Sequence, residues 1–342
     1  MKAKKEAPLF FSMTYEFLEV YLPRQTGHSL CTVKSYRDAL TLFRRYLLNV
    51  RGMSISKFTF GQCGRDFVLG FMEYLKTEGC APATRNHRLA ALKSYIWFAS
   101  DKDVSIQSIA LEISKIPRCK EHEPERDVLP EPAISAILSQ PADTRMGLRD
   151  RTLLVLMYDS ACRLDEILSL IIDNVNIDRN NTYIRVVGKG DKERVVSVSE
   201  AAAAHLRLYI NNFRKRDNPD TDLLFYTIIK GKAGKMSEGN VERFLKQYAD
   251  KARKNCPEMP NTVYPHMFRR TRATHMYQDG VALPLISRIL GHVNLDTTTI
   301  YAKPSLGMMR DAMESASPSQ VKDERPLWVG SEEEMARKSG LR

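Results

Sequence analysis

The sequence predicts a mainly α-helical protein of two domains, with a small β-sheet in the second. Three observations predict it. Apolar residues recur at helical spacing through 10–115, prolines and mixed charges interrupt that pattern at 116–132, and two β-rich runs surround a glycine-containing turn at 188–192. A chain of 342 residues can form two domains that each bury a core. We therefore expect a helical domain at 1–115, a linker at 116–132, a second domain at 133–302 and a C-terminal tail at 303–342.

The first domain is predicted to contain several helices. Ser29 is suited to cap one, since apolar residues follow it at steps of three and four. Thr84 is expected to cap a second helix, whose polar face carries Arg85, Arg88 and Lys93. Such a face is commonly just solvated, but basic side chains on one helix can also bind DNA phosphates. We expect the phosphate-binding role for these three residues.

The second domain is predicted to mix helices with one β-hairpin. The hairpin strands are 182–187 and 193–198, with Gly188, Lys189 and Gly190 in the turn. A short helix and then a flexible polar stretch are expected in the tail. The predicted helices are 132–139, 149–158, 200–213, 239–254, a helical region from 265 onward, and 306–315.

Charge and composition limit the class of protein. The net charge is +11, and residues 1–115 hold 17 Lys and Arg against 10 Asp and Glu, which favours a polyanionic partner. No apolar run approaches the roughly 18 residues of a membrane span, so we expect no membrane association and a cytoplasmic location. The six cysteines form no CxxC pair, which is typical of reduced thiols.

Several catalytic motifs are missing from the sequence. It has neither the GxSxG of serine hydrolases nor the HExxH of zinc proteases, and the glycine-containing segment 231–236 lacks the spacing of a P-loop. Asp165 and Glu166 lie beside an arginine and not among the clustered acids that magnesium-dependent nucleases use. The sequence therefore predicts no metal site and no cofactor.

Five short segments together suit phosphoryl transfer without a metal. In chain order they are Arg163-x-x-Glu166 on one predicted helical face, Lys189 in the hairpin, His266-x-x-Arg269, Leu290-Gly-His292, and Thr297-Thr298-x-x-Tyr301. This order resembles the catalytic domain of the tyrosine recombinase (phage integrase) family over about residues 130–302. The N-terminal domain looks like that family's core-DNA-binding domain by pattern only.

The resemblance implies a site-specific recombinase that cuts and rejoins DNA through a 3′-phosphotyrosyl intermediate. It implies that Tyr301 is the nucleophile, that Arg163 and Arg269 bind the phosphate, and that His266 and His292 donate to it. Arginine suits this role because its planar guanidinium stays charged. Lys189 would protonate the leaving 5′ oxygen, with Lys192 nearby, and Glu166 would orient an arginine. Arg270 departs from the histidine that the family often has there, and it either contacts phosphate or packs.

The resemblance also implies partners. It predicts a DNA clamp around duplexes with specific recombination sites and a homotetramer on two duplexes, with the tail helix docked on a neighbouring subunit. We favour a mobile-element integrase over a chromosome-dimer resolvase, and the sequence assigns no accessory protein. Two alternatives remain open: a type IB topoisomerase that relaxes DNA as a monomer, and a non-catalytic DNA-binding protein on the same fold.

Overall fold

The computed structural model describes residues 8–121, 128–178, 181–188, 192–214, 220–292, 294–302, 304, 306–316 and 330–341. It divides into two compact units, Met1–Glu125 and Arg126–Arg342. The division falls inside the segment predicted as a linker, but both ends of that segment are packed. Ile116 is buried in the core of the first unit and Leu129 in the core of the second. Within the described ranges, no helix is long and apolar enough to cross a membrane.

The first unit is helical, as predicted. Its helices are α1 (Thr14–Glu16), which continues as a π-helix (Phe17–Gln25), α2 (Leu30–Asn49), α3 (Arg65–Thr77), α4 (Pro82–Lys102) and α5 (Gln107–Ser114), with single 3₁₀ turns at Phe60–Gln62 and Val104–Ile106. The predicted cap of α2 is confirmed, because the Ser29 side chain accepts a hydrogen bond from the Thr32 amide. The predicted cap of α4 is wrong. Helix α4 begins at Pro82, since proline suits the first turn of a helix, where its missing N–H is not needed, and Thr84 lies inside the helix.

Aromatic rings fill the core of the first unit. Phe43 is fully buried, with ring centroids 5.3 Å from Phe10 and 5.0 Å from Phe71. Buried Tyr95 lies among the same rings, and its hydroxyl donates to the Phe10 carbonyl. Aromatic side chains bury more apolar area than any other type, so this cluster dominates the packing of the unit.

The second unit combines helices with two small antiparallel sheets. Its helices are α6 (Glu131–Leu138), α7 (Arg145–Ser160), α8 (Leu164–Leu168), α9 (Glu200–Tyr209, continued by a π-helical turn, Ile210–Arg214), α10 (Glu238–Ala252), α11 (Pro265–Gln278), α12 (Leu283–Leu290), α13 (Asp296–Thr299), α14 (Leu306–Ala316) and α15 (Glu332–Lys338). Its strands are β1 (Val175–Asn176), β2 (Tyr183–Val187), β3 (Glu193–Ser197), β4 (Tyr226–Ile229) and β5 (Lys232–Lys235). A 3₁₀ turn, Ile172–Asn174, precedes β1.

The predicted hairpin is confirmed, with Val187 paired to Glu193 next to its turn and β1 added beside β2. The second hairpin was missed by the sequence analysis. Segment 231–236 belongs to it, and Lys230 and Gly231 both have positive φ in its turn (50° and 80°), as a two-residue type I′ turn requires. In the tail, where we expected a flexible stretch, Ser331 and Glu334 form a capping box that starts α15.

Packing of these elements brings four segments together. Helix α11 packs against α7 and α12, strand β3 contacts α12, and β2 contacts α8. The end of α7, the start of α8, the middle of α11 and the residues after α12 therefore meet in one place.

Candidate active site

Arg163 lies immediately before α8 and not on the helix. Its backbone is extended (φ −67°, ψ 147°), and the Glu166 carboxylate accepts hydrogen bonds from its amide (2.8 Å) and from its Nη1 (3.0 Å). The prediction that these residues share a helical face is therefore wrong. Glu166 reaches back across the first turn of α8 as the acidic member of a capping box does. The Nη1 contact also holds the Arg163 side chain, which is 43% exposed.

Arg269 is the most enclosed charged group of the site. Its side chain is 2% exposed, and it donates to the carbonyls of Ala161 (Nη1, 2.8 Å) and Leu290 (Nη2, 2.8 Å). Ala161 is a non-glycine residue with positive φ (50°) just after α7. Burial, together with the nearby charge of Arg163, lowers the pKa of Arg269 to about 10, so it remains protonated at neutral pH.

His292 follows the left-handed Gly291 that ends α12. The φ of Gly291 is +66°, a backbone conformation that favours glycine, and a Cβ there would lie 3.0 Å from the Arg194 guanidinium and crowd it. His292 Nε2 lies 3.0 Å from Arg269 Nη2, and its Nδ1 lies 2.8 Å from the Thr298 hydroxyl. Because arginine can only donate, Nε2 accepts, and the ring proton is on Nδ1, which donates to Thr298.

Electrostatics keep His292 neutral. Burial, followed by the charges of Arg269 and Arg163, lowers its pKa to about 4. The Glu166 carboxyl shows the opposite balance. Burial alone would raise its pKa, but hydrogen bonds from Arg194 and Arg163 hold it below its ordinary value. The site therefore holds three arginines and one carboxylate around a neutral imidazole, an arrangement suited to an anion.

Tyr301 lies beside His292, two residues after α13. The two rings stack with centroids 6.1 Å apart and planes 25° apart. The tyrosine is 4% exposed and packs with Ala161, Ala273 and Leu290. The predicted nucleophile is thus next to both Arg269 and His292, with its ring covered in this conformation.

The remaining predicted site residues lie around this centre or outside the described residues. His266 is exposed in the first turn of α11, and its charge is one of those that lower the pKa of His292. Arg270 Nη1 donates to the Tyr264 hydroxyl (3.2 Å), with its guanidinium over that ring. Lys189 lies outside the described residues, between Gly188 and Lys192.

The basic face predicted on α4 is partly engaged within the first unit. Lys93 donates to the carbonyls of Ser114 and Ile116 at the end of α5, and Arg88 donates to the Cys80 sulfur (2.9 Å). Arg85 is half-buried. Lys93 therefore has a structural partner that the sequence pattern did not indicate, which makes it the weakest of the three predicted phosphate contacts.

Sequence reasoning assigned no individual role to two residues of the site, Arg194 and Thr298. Arg194 bonds Glu166 through both terminal nitrogens (3.0 and 2.8 Å). The sequence did indicate that Arg194 is paired. Alternation along β3 places it on the same side as buried Val196, where a charged side chain needs a partner. Fully buried Thr298 belongs to the quoted Thr297-Thr298-x-x-Tyr301 segment, but nothing in the sequence distinguished it from the threonines on either side.

Comparison with known proteins is consistent with this geometry. The model of the phage integrase family matches residues 127–306, and that of its N-terminal SAM-like domain matches 16–103. The chain is 30% identical to tyrosine recombinase XerC of Myxococcus xanthus over 89% of this chain and 97% of the relative. Two solved structures share the fold: the Tn1549 transposon integrase with transposon right end DNA (TM-score 0.66, 16% identity, 88% and 99% of the two chains) and a lambda integrase tetramer on a Holliday junction (TM-score 0.63, 14% identity, 87% and 78%). The chain belongs to the phage integrase family, and it is a site-specific tyrosine recombinase, an enzyme that cuts and rejoins DNA strands.

Proposed function

We propose that Tyr301 is the nucleophile and that the surrounding arginines and histidines stabilise the reacting phosphate. The observation that supports this is the meeting of Arg163, Arg269, His292 and Tyr301, which come from three separate stretches of sequence, in one site. Tyr301 Oη would form a bond to phosphorus while the bond from phosphorus to the 5′ oxygen breaks. The product is a 3′-phosphotyrosine, which conserves the energy of the phosphodiester and allows rejoining.

Each of the other residues has a proposed role. Arg163 and Arg269 bind the nonbridging oxygens, whose negative charge increases in the transition state. His266, and His292 in the tautomer that carries the proton on Nε2, donate to the same phosphate, and His266 also assists removal of the tyrosine proton. Glu166 orients Arg163 through the contacts described above. Arg270, held by Tyr264, borders the site and is proposed to add a phosphate contact.

Substitution of Tyr301 by phenylalanine tests the proposal. The variant should bind the target duplex with unchanged affinity, because only the hydroxyl is removed, but form no SDS-resistant protein–DNA adduct. The substrate is a nicked duplex. Its sequence is found by testing fragments of the DNA next to the gene for one that gives such an adduct with the unaltered chain. An adduct in the Tyr301→Phe variant would show that another residue is the nucleophile.

The role of Lys189 as the general acid remains a prediction. General acids contribute roughly 10²–10⁴ in rate, so Lys189→Ala should bind normally and cleave slowly. A substrate with sulfur at the 5′ bridging position has a leaving group that needs no proton. It should restore cleavage to Lys189→Ala and much less to Arg163→Ala. Equal restoration would make Lys189 an electrostatic contact and Lys192 the next candidate.

We also propose a tetramer on two duplexes, formed in the cytoplasm. Helix α14 supports this, because Met309 and Met313 are 43% and 73% exposed on it, and apolar side chains at such a position suit a subunit contact. Replacing both methionines by glutamate should abolish the tetramer on DNA in sedimentation experiments while monomer binding persists. A tetramer that survives would place the contact elsewhere.

The first unit is proposed to supply phosphate contacts through Arg85 and Arg88, with Lys93 in the weaker position. Reversing the three charges should reduce the slope of log affinity against log salt, by about 0.9 for each phosphate that the protein no longer neutralises. An unchanged slope would assign this face to solvent.

A mobile-element integrase remains our prediction for the biological role, and sequencing the DNA next to the gene tests it. Family membership favours neither the topoisomerase nor the non-catalytic alternative.

A further inference from the structure

Arg194 is bonded to three residues around the site, Glu166, Cys162 and Ile289. Its side chain is 13% exposed, and it projects from β3. Nη1 and Nη2 donate to the two oxygens of Glu166, Nη2 also lies 3.6 Å from the Cys162 sulfur, and Nε donates to the Ile289 carbonyl (3.0 Å). One guanidinium thus joins β3, the segment before α8 and the end of α12.

The contact with Glu166 controls how that carboxylate meets Arg163. Arg194 contacts both oxygens as a planar fork, whereas the Arg163 side chain is bonded to Oε1 alone through Nη1. A carboxylate prefers a two-pronged contact with arginine. Without Arg194, the buried Glu166 would be free to take Arg163 as its forked partner. That contact would turn the Arg163 donors away from the side where a phosphate arrives.

The contact of Arg194 with the end of α12 fixes the backbone just before His292. Ile289, whose carbonyl accepts from Arg194, directly precedes Leu290, whose carbonyl accepts from Arg269. Gly291 lies against the same guanidinium, close enough that a Cβ would be 3.0 Å away. The position of His292, the next residue, therefore depends on where Arg194 lies.

We propose that Arg194 is a positioning residue that keeps Glu166 from capturing Arg163 and that fixes the end of α12 before His292. This inference rests on the proposed phosphate-binding roles of Arg163 and His292. Arg194 itself is not proposed to touch DNA, because both of its terminal nitrogens donate to the charged Glu166 carboxylate, whereas those of Arg269 donate to neutral carbonyls and an imidazole. Its removal should therefore reduce the cleavage rate at saturating DNA and leave the affinity for DNA nearly unchanged.

The test is single-turnover cleavage of the nicked duplex defined above. Arg194→Gln should cleave about 10- to 100-fold more slowly, the range typical for removing a residue that orients a metal-binding side chain. The Kd for DNA should stay within about threefold, since the charge of Arg194 is already paired with the Glu166 carboxylate. Arg194→Lys should recover part of the rate, because an ammonium can still bond one oxygen of Glu166.

The double variant Arg194→Gln with Glu166→Gln gives the sharper result. Removing the carboxylate charge should release Arg163, so the double variant should cleave faster than Arg194→Gln alone. Two residues in direct contact are expected to show such non-additivity. Additive losses would overturn the proposed capture of Arg163, and a weakened Kd with an unchanged rate would make Arg194 a DNA contact.

Arg253→Gln is a matched control. Arg253 also bonds a carboxylate, Asp250, and backbone carbonyls, those of Pro260 and Asn261, but none of these belongs to the site. Cleavage by Arg194→Gln at the rate of Arg253→Gln would overturn the proposal. If Arg194→Gln does not fold, Arg194→Lys against Arg253→Lys gives the same comparison, with equal rates again overturning it.

Two further variants separate this inference from the proposed function. Tyr301→Phe and Arg163→Ala are assayed in parallel on the same duplex. If either forms the adduct at the unaltered rate, the proposed site itself is wrong. If both fail while Arg194→Gln cleaves normally, the site stands and only the role of Arg194 is overturned.

Discussion

Phe43 in the first unit and Arg269 in the second are equally hidden from solvent, at 0% and 2% exposure, but opposite forces act on them. Burying a phenylalanine side chain stabilises a fold by about 1.5–3 kcal/mol. Burying a guanidinium costs free energy that hydrogen bonds must offset, and such a charge is weak evidence for stability. Phe43 therefore contributes to packing, whereas the proposed role of Arg269 is in cleavage, so substitutions at the two positions should separate stability from cleavage.

Phe43→Ala should have the largest effect on stability. Removal of a large ring from a tightly packed core lowers the free energy of unfolding by about 3–5 kcal/mol. Denaturant titration measures that decrease. Cleavage per folded molecule at saturating DNA should stay within about twofold, because Phe43 contributes no group to the reaction. A tenfold slower cleavage by folded protein would contradict the separation.

Arg269→Met should show the reverse pattern. Removal of one preorganised donor typically slows a reaction by roughly 10²–10³, and single-turnover cleavage measures this. The decrease in stability should be smaller than that of Phe43→Ala, since removing a desolvated charge offsets part of the missing hydrogen bonding. A decrease in stability as large as that of Phe43→Ala, with cleavage retained, would show that Arg269 is structural.

Thr298→Val should have a moderate effect. The hydroxyl accepts the His292 Nδ1 proton in the described state, and by rotating it can donate to Nδ1 when Nε2 carries the proton. Valine has the same shape but supports neither state, so cleavage should fall about tenfold, equivalent to one hydrogen bond. Thr298→Ser keeps the hydroxyl and should restore the rate. Equal rates for the valine and serine variants would rule out this role.

The smallest expected effect is on the pH dependence of stability. The folded pKa of His292, about 4, is below its unfolded value, which is close to 6.5. Between these values the unfolded chain binds the proton more readily, so the His292 contribution to stability decreases as pH falls from 6.5 towards 4. His292→Asn should flatten the thermal unfolding temperature against pH in that window. An unchanged slope would show that other groups cause it.

The order and spacing of chemical groups along the chain can be read from the sequence, and they singled out Arg163, Arg269, His292 and Tyr301. The structure brings these four residues together. The local geometry was harder to predict. A spacing of three residues fits both a helical face and a capping box, and the Arg163 pair forms the second. Arg194 was missed because its partners are distant: Glu166 is 28 positions away and Ile289 is 95.

The backbone conformation of the site could not be predicted from sequence patterns either, because it also depends on contacts between residues that are distant in the chain. The positive φ of Ala161 is unusual for a residue with a side chain, and nothing in the local sequence indicates it. The Ala161 carbonyl accepts a hydrogen bond from the Arg269 guanidinium, 108 positions along the chain. Periodicity reports which residues face a core, but not which distant side chain bonds a particular carbonyl.

The engagement of Arg269 with two carbonyls and His292 has a consequence for substrate affinity. Both terminal nitrogens already donate to protein atoms, and among the described residues only the buried Nε makes no hydrogen bond, so a phosphate that binds a terminal nitrogen competes with oxygens and a nitrogen that the protein already supplies. Such an exchange gains little for a singly charged diester, and more as charge builds on the phosphorane. If Arg269 has the proposed phosphate-binding role, its binding energy should therefore appear more in the cleavage rate than in the affinity for DNA.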